Sequence, residues 1–278
     1  MVSLPAGRVH LRVDGPAEGD PLLLVHGFEG SMHWWDRVTP LLAERFRVIR
    51  VDLLGYGCTS GDAAIGQAAQ SAMLASILDH LDVTAVTAVG HSWGADQILE
   101  TARRSSRVGA VVVLAQAPDY RLLSMPRVLQ AITASRLAAA VTPIARLLHA
   151  VVPDRLVRDV LQRGFAPGFD PSAMLEDSQQ FVLDFRAMSY RMYHEVVVRR
   201  RELLHERPLD TRVRELGLPT MAVHGRHDRL YDCDATLARY AAVGARTEVI
   251  GSAGHSPHVE APHEVAALIR DFVDRLQT

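Results

Sequence analysis

Short apolar runs alternate along the chain with longer stretches in which apolar residues recur every three or four positions. Leu22-Leu23-Leu24-Val25, Val48-Ile49-Arg50-Val51, Val86-Thr87-Ala88-Val89, Ala110-Val111-Val112-Val113-Leu114, Thr220-Met221-Ala222-Val223 and Thr247-Glu248-Val249-Ile250 are compact and apolar or β-branched, and read as strands. Residues 8–13 add an edge strand. Helical periodicity marks 34–44, 68–81, 95–104, 234–243 and 264–276, several of them ending just before a glycine or a fresh strand. This alternation predicts an α/β fold with a mainly parallel central sheet flanked by helices.

The alternation breaks once. Across 119–208 no strand-like run interrupts the helical patterns, and Pro143, Pro153, Pro167 and Pro171 cut them into pieces. The simplest organisation is a core of 1–118 and 209–278 with a helical cap, 119–208, inserted into it. Leu122, Leu123, Met125, Val128, Leu129 and Ile132 give the cap an apolar face, as do Leu137, Val141, Ile144, Leu147 and Leu148. A later helix is expected to open at Asp170-Pro171 and to present Met174, Phe181, Phe185, Met188 and Met192.

Composition narrows the function classes. With 48% hydrophobic and 22% charged residues, the 278-residue chain is an ordinary globular one with room for a sizeable core. A net charge of −2 offers no basic footprint for nucleic acid. Two cysteines, Cys58 and Cys233, are too few for a disulfide framework and fit a reducing compartment. The first residues carry no basic-then-apolar leader, and no stretch is apolar over the roughly 18 residues a membrane helix needs. A cytoplasmic protein acting on a small molecule, with no nucleic-acid or membrane partner, is the expectation; oligomeric state stays open.

The chemistry concentrates at Gly90-His91-Ser92-Trp93-Gly94. A strand runs into this pentapeptide and a helical pattern leaves it, the context in which Gly-x-Ser-x-Gly forms a sharp turn that lifts a serine above the sheet. Serine attacks poorly at its own pKa, so an imidazole must take its proton and a carboxylate must hold that imidazole in the useful tautomer. Of thirteen histidines, His255 in Gly254-His255-Ser256-Pro257-His258 follows the last strand directly, with His258 the runner-up. His91 is expected to pack. For the acid, the order Ser, Asp, His points to Asp228 in His224-Gly225-Arg226-His227-Asp228; Asp119, past the strand ending at Leu114, is the alternative. Oxyanion donors would be the backbone amides of Trp93, after the serine, and Phe28 in His26-Gly27-Phe28.

With these residues placed, the chain resembles the α/β-hydrolase superfamily, and more closely its cytosolic branch of esterases, C–C hydrolases, haloperoxidase-like enzymes and epoxide hydrolases. Asp52-Leu53-Leu54-Gly55-Tyr56-Gly57-Cys58-Thr59-Ser60 is similar to that family's D-x-x-G-x-G-x-S segment, with Cys58 and Thr59 as departures. Ser92 argues against the dehalogenases and epoxide hydrolases, which carry Asp there, and His91 departs from the Gly-Gly-Ser-Trp-Gly of proline iminopeptidases. The resemblance implies the α/β-hydrolase fold and a serine hydrolase working through an acyl-enzyme, without metal or organic cofactor. A small or medium hydrophobic carboxylic ester or thioester is the expected substrate, walled by Trp34, Trp35, Phe181, Phe185 and Met188. Alternatives keep the three catalytic residues but change the bond: a C–C hydrolase, or an acyltransferase or cyclase. A non-catalytic ligand-binding member is a third. Arg186 and Arg191 would either meet a substrate carboxylate or lie on a solvated helix face.

Overall fold

The structure, a computed structural model, describes residues 1–59, 64–124, 147, 149–171, 177 and 179–277. Nine strands are described: β1 (Val2–Leu4), β2 (Gly7–Val9), β3 (Leu11–Asp14), β4 (Pro21–Val25), β5 (Arg47–Val51), β6 (Val86–His91), β7 (Val108–Leu114), β8 (Thr220–Gly225) and β9 (Arg246–Ile250). The last seven form one sheet in the order β3-β5-β4-β6-β7-β8-β9. Only β3 runs antiparallel to its neighbour; every other pair is parallel. The single edge strand expected over 8–13 is instead divided. His10 breaks it, because its N–H donates to Thr59 Oγ1 and its ring bonds the Asp52 carboxylate, leaving β2 to pair with β1 in a separate hairpin.

Alternate residues of each inner strand face opposite layers, as the two-residue period of a strand requires. Leu23, Val25, Ile49, Val51, Ala88, Val111 and Val113 pack on one face with α2 (Gln67–His80), α3 (Trp93–Arg104), α7 (Leu209–Leu216) and α8 (Cys233–Ala241). Leu22, Leu24, Val48, Val89, Val112 and Leu114 pack on the other with α1 (Thr39–Ala43) and α10 (Pro262–Leu276). The helix expected over 34–44 is shorter: a 3₁₀ turn, Met32–Trp35, precedes α1, whose Pro40 fits only a first helical turn.

The described part of 119–208 holds α4 (Asp154–Leu161), α5 (Gln180–Ala187), a π-helical stretch His194–Arg199 and α6 (Arg200–Glu206). Its two ends meet, since Leu209 N–H donates to Pro118 O at 3.0 Å. Val157, Leu161, Phe165, Phe181 and Phe185 close on Trp34 and Val259, in α9 (Pro257–Glu260), of the core. Phe181 and Phe185 thus sit on a helix that starts at Gln180, while Met174, Met125 and the apolar face from Val128 to Ile144 fall outside the described residues.

Candidate active site

At the carboxyl end of β6 the backbone turns through Ser92 at φ 49° and ψ −124°, a conformation that a non-glycine residue adopts only under strain. Ser92 N–H donates to Leu114 O at 2.9 Å, so β7 holds the turn in place. The flanking glycines are forced by contact: a Cβ at Gly90 would lie 2.6 Å from Ala95 Cα, and one at Gly94 2.4 Å from Val25 O. Ser92 therefore sits at the head of α3, where the helix dipole favours negative charge.

His255 and Asp228 reach Ser92 from two loops at the same sheet edge. The Ser92 hydroxyl lies 3.0 Å from His255 Nε2, and His255 Nδ1 lies 2.8 Å from Asp228 Oδ2. Asp228 Oδ1 accepts from the amides of Leu230, at 2.7 Å, and Tyr231, at 3.2 Å. Burial by itself would raise the Asp228 pKa, but the imidazoles of His255 and His224 overcome it and hold the carboxyl far below the usual range. His224 Nε2 comes within 2.8 Å of Oδ2, out of line for a hydrogen bond. An ionised acid fixes Nδ1–H on His255 and leaves Nε2 free to accept the serine proton.

Asp119 is placed differently. Its carboxylate caps a 3₁₀ turn, accepting from Arg121 N–H at 2.9 Å. His258 is also engaged elsewhere: fully buried, its ring packs 4.3 Å from that of His91 and 4.4 Å from that of Trp35. Burial, with the nearby His255 and His26, pushes it down to about 3, so it stays neutral.

The loop after β4 lies against the serine, since a Cβ at Gly27 would come 3.1 Å from Ser92 Cβ. His26 holds this loop, donating from Nδ1 to Gly27 O at 2.8 Å and accepting at Nε2 from Leu53 N–H at 3.0 Å. Among the described residues neither the Phe28 nor the Trp93 amide has a backbone acceptor. Asp52 fastens the same region by accepting from the amides of Met32 and Cys58 and from His10 Nδ1. Among the described residues His10, Asp52 and Cys58 form the group close enough to share a metal ion, and the Asp52 oxygens are already occupied by these internal bonds.

Residues 20–262 match the model of the alpha/beta hydrolase fold family. The chain belongs to this family. It is 28% identical over 286 residues to the 2-hydroxymuconate semialdehyde hydrolase of Pseudomonas sp. (strain CF600), covering 96% of this chain and 92% of that protein. Among solved structures, an esterase from Thermogutta terrifontis superposes with a TM-score of 0.77 at 19% identity, covering 99% of this chain and 97% of the other. A carboxylesterase from Bacillus subtilis gives 0.72 at 20%, covering 98% and 90%. At such identities the structural likeness concerns the fold.

In this alpha/beta hydrolase the expected pocket residues divide. Trp34 and Phe181 meet edge to face at 4.9 Å, and Trp34 Nε1 donates to Asp184 of α5 at 2.9 Å. Phe185 lines a cavity beneath the helical segment. Trp35 and Met188 are instead buried in the two clusters that sandwich the sheet. Arg186 is occupied by the carbonyls of His149 and Val152 and by Asp154.

Two supports had no signal in the motif analysis. Glu260 accepts from the amides of Gly254, Ser256 and Ala166, bracketing His255 on both sides, and a glutamate four residues beyond Ser256 is its only trace in the sequence. His91, expected simply to pack, donates from Nε2 to His255 O at 2.8 Å; burial and the neighbouring imidazoles keep it neutral.

Proposed function

We propose that this hydrolase cleaves a small or medium hydrophobic carboxylic ester or thioester through an acyl-enzyme on Ser92. The observation that carries this is the continuous chain from Asp228 to His255 to Ser92, with contacts of 2.8 and 3.0 Å. His255 Nε2 takes the Ser92 proton as Oγ attacks the carbonyl carbon, and the imidazolium formed is stabilised by ionised Asp228. The amides of Phe28 and Trp93 meet the oxyanion, each contributing on the order of 10²–10³ in rate. His255 then returns the proton to the departing alcohol or thiol, and water repeats the sequence in reverse to release the acid.

Apolar contact for the substrate comes from Trp34, Phe181 and Phe185, with 119–208 acting as the cap. The two cysteines are free and fit a cytoplasmic setting. A second reading, C–C hydrolysis by the same three residues, is favoured by the 28% identity to a semialdehyde hydrolase over 96% of the chain. A panel of nitrophenyl esters, thioesters, lactones and vinylogous diketones of graded length tests the two. Turnover of esters and thioesters that disappears in Ser92→Ala supports the first; turnover of diketones alone supports the second; equal turnover by Ser92→Ala refutes both.

A further inference from the structure

Beside the loop that carries Phe28, beneath α4 and α5, lies a cavity of about 360 Å³ whose walls include Val152, Leu156, Val157, Val160, Leu161 and Phe185. Among the described residues three polar side chains line this apolar space: Glu29, Tyr193 and His149. Glu29 directly follows Phe28 and is held at φ 62°, a left-handed backbone that strains a side-chain-bearing residue and persists only where its surroundings impose it. The Tyr193 hydroxyl is close enough to its carboxyl to favour the ionised form, and the Tyr193 ring meets Phe28 edge to face at 5.4 Å. The His149 ring packs at a tilt against Phe185, 4.5 Å between ring centres, with both nitrogens buried. The carbonyls of Arg186 and Met188 approach that ring without making a hydrogen bond.

Apolar packing does not account for this set. The two buried ring nitrogens of His149 have no hydrogen-bond partner, and an imidazole in that state beside an apolar cavity costs free energy unless a ligand group satisfies it. Among the described residues no arginine lines the cavity, and the neighbouring Arg186 guanidinium is taken up by two carbonyls and Asp154. Burial pushes the Glu29 carboxyl up to about 7, so it is available as a neutral hydrogen-bond donor.

We propose that Glu29 and His149 form a specificity site that hydrogen-bonds a neutral oxygen, a keto or hydroxyl group, carried on the apolar chain of the substrate. One peptide step and a glutamate side chain separate this site from the Phe28 amide, a reach of roughly 8 Å at most, which suits an oxygen a few carbons along the acyl chain from the scissile carbonyl. The proposal rests on the acyl-enzyme reading above and adds to it the class of acyl group accepted.

The test uses the nitrophenyl esters of 5-oxohexanoate, of its hydrocarbon isostere 5-methylhexanoate and of 6-aminohexanoate. The wild-type protein should favour the keto ester over the isostere in kcat/KM by about fivefold to tenfold, the range of one neutral hydrogen bond. Glu29→Gln, which keeps a donor, should hold that ratio, and Glu29→Leu should bring it close to one. Should Glu29→Leu not fold, His149→Phe must lower the same ratio. A wild-type ratio near one, a ratio unchanged by Glu29→Leu or by His149→Phe, or a preference for the ammonium ester overturns the proposal. Calorimetric binding of the N-methylamides of the same three acids to Ser92→Ala separates the two readings. If Ser92→Ala still hydrolyses esters, the acyl-enzyme reading fails, and the ratio of Kd values alone decides the role of Glu29.

Discussion

Asp184 ties the helical segment to the loop beside the candidate nucleophile, and it does so as a buried carboxylate. Oδ2 accepts from Trp34 Nε1 at 2.9 Å and Oδ1 from Gln180 Nε2 at 2.7 Å, with the side chain almost wholly out of water. Burial pushes its pKa up to about 6, against the hydrogen bonds that favour the anion. An aspartate in an unfolded chain titrates at about 3.9. Between those values the folded protein binds more protons than the unfolded one, so stability falls as pH rises through the window and is lowest above it. Roughly two pKa units at 1.36 kcal/mol each set an upper limit of about 3 kcal/mol on the loss. Asp184→Asn removes the charge while its amide oxygen still accepts from Trp34 Nε1, and Gln180 can turn its own amide to match. Urea unfolding should therefore find the variant within about 0.5 kcal/mol of wild type at pH 4 and more stable by about 1–3 kcal/mol at pH 8. A difference that does not change with pH, or a variant less stable at pH 8, would refute the reasoning.

Three further outcomes test the site. Asp228→Asn should lower kcat by roughly 10⁴ through loss of the fixed tautomer, whereas Asp119→Asn should leave it within about twofold; the reverse order in steady-state kinetics would reassign the acid. Arg200 of α6 donates from Nε to Asp96 Oδ1 at 2.8 Å with both side chains buried, so Arg200→Met should cost about 3–5 kcal/mol in urea unfolding by stranding a buried carboxylate. Adding Asp96→Asn to that variant should recover part of the loss; no recovery would show that packing rather than charge is at stake. Glu260→Ala strips acceptors from the amides on both sides of His255 and should lower kcat at least tenfold with a smaller change in KM, and an unchanged kcat would remove Glu260 from the support of His255.

Local patterns carried most of the fold. The six apolar runs lie within β4 to β9, and the passage of β6 through Gly90, Ser92 and Gly94 into α3 was legible because strand, turn and helix are consecutive in sequence. The edge strand was misread as continuous because its break depends on Asp52 and Thr59, more than 40 residues from His10. Chain order favoured Asp228 over Asp119 without excluding either; the fold brings the former to His255 and leaves the latter capping a turn. His91 bonds a carbonyl 164 residues away and leaves no local signature, whereas Glu260, whose bonds to Gly254 and Ser256 span six and four residues, also ties in Ala166 from 94 residues away. The two tryptophans show the same limit: adjacent in sequence, Trp34 faces the helical segment and Trp35 the core, a division that only the 3₁₀ turn decides.

The central claim is that Ser92 is a nucleophile activated by His255. Intact-mass spectrometry with a fluorophosphonate probe, followed by peptide mapping, tests it most directly. The account predicts one adduct per chain, on Ser92, absent in Ser92→Ala and formed at least about 10³-fold more slowly in His255→Ala. An adduct that persists in Ser92→Ala, or that forms at the wild-type rate without His255, would contradict it.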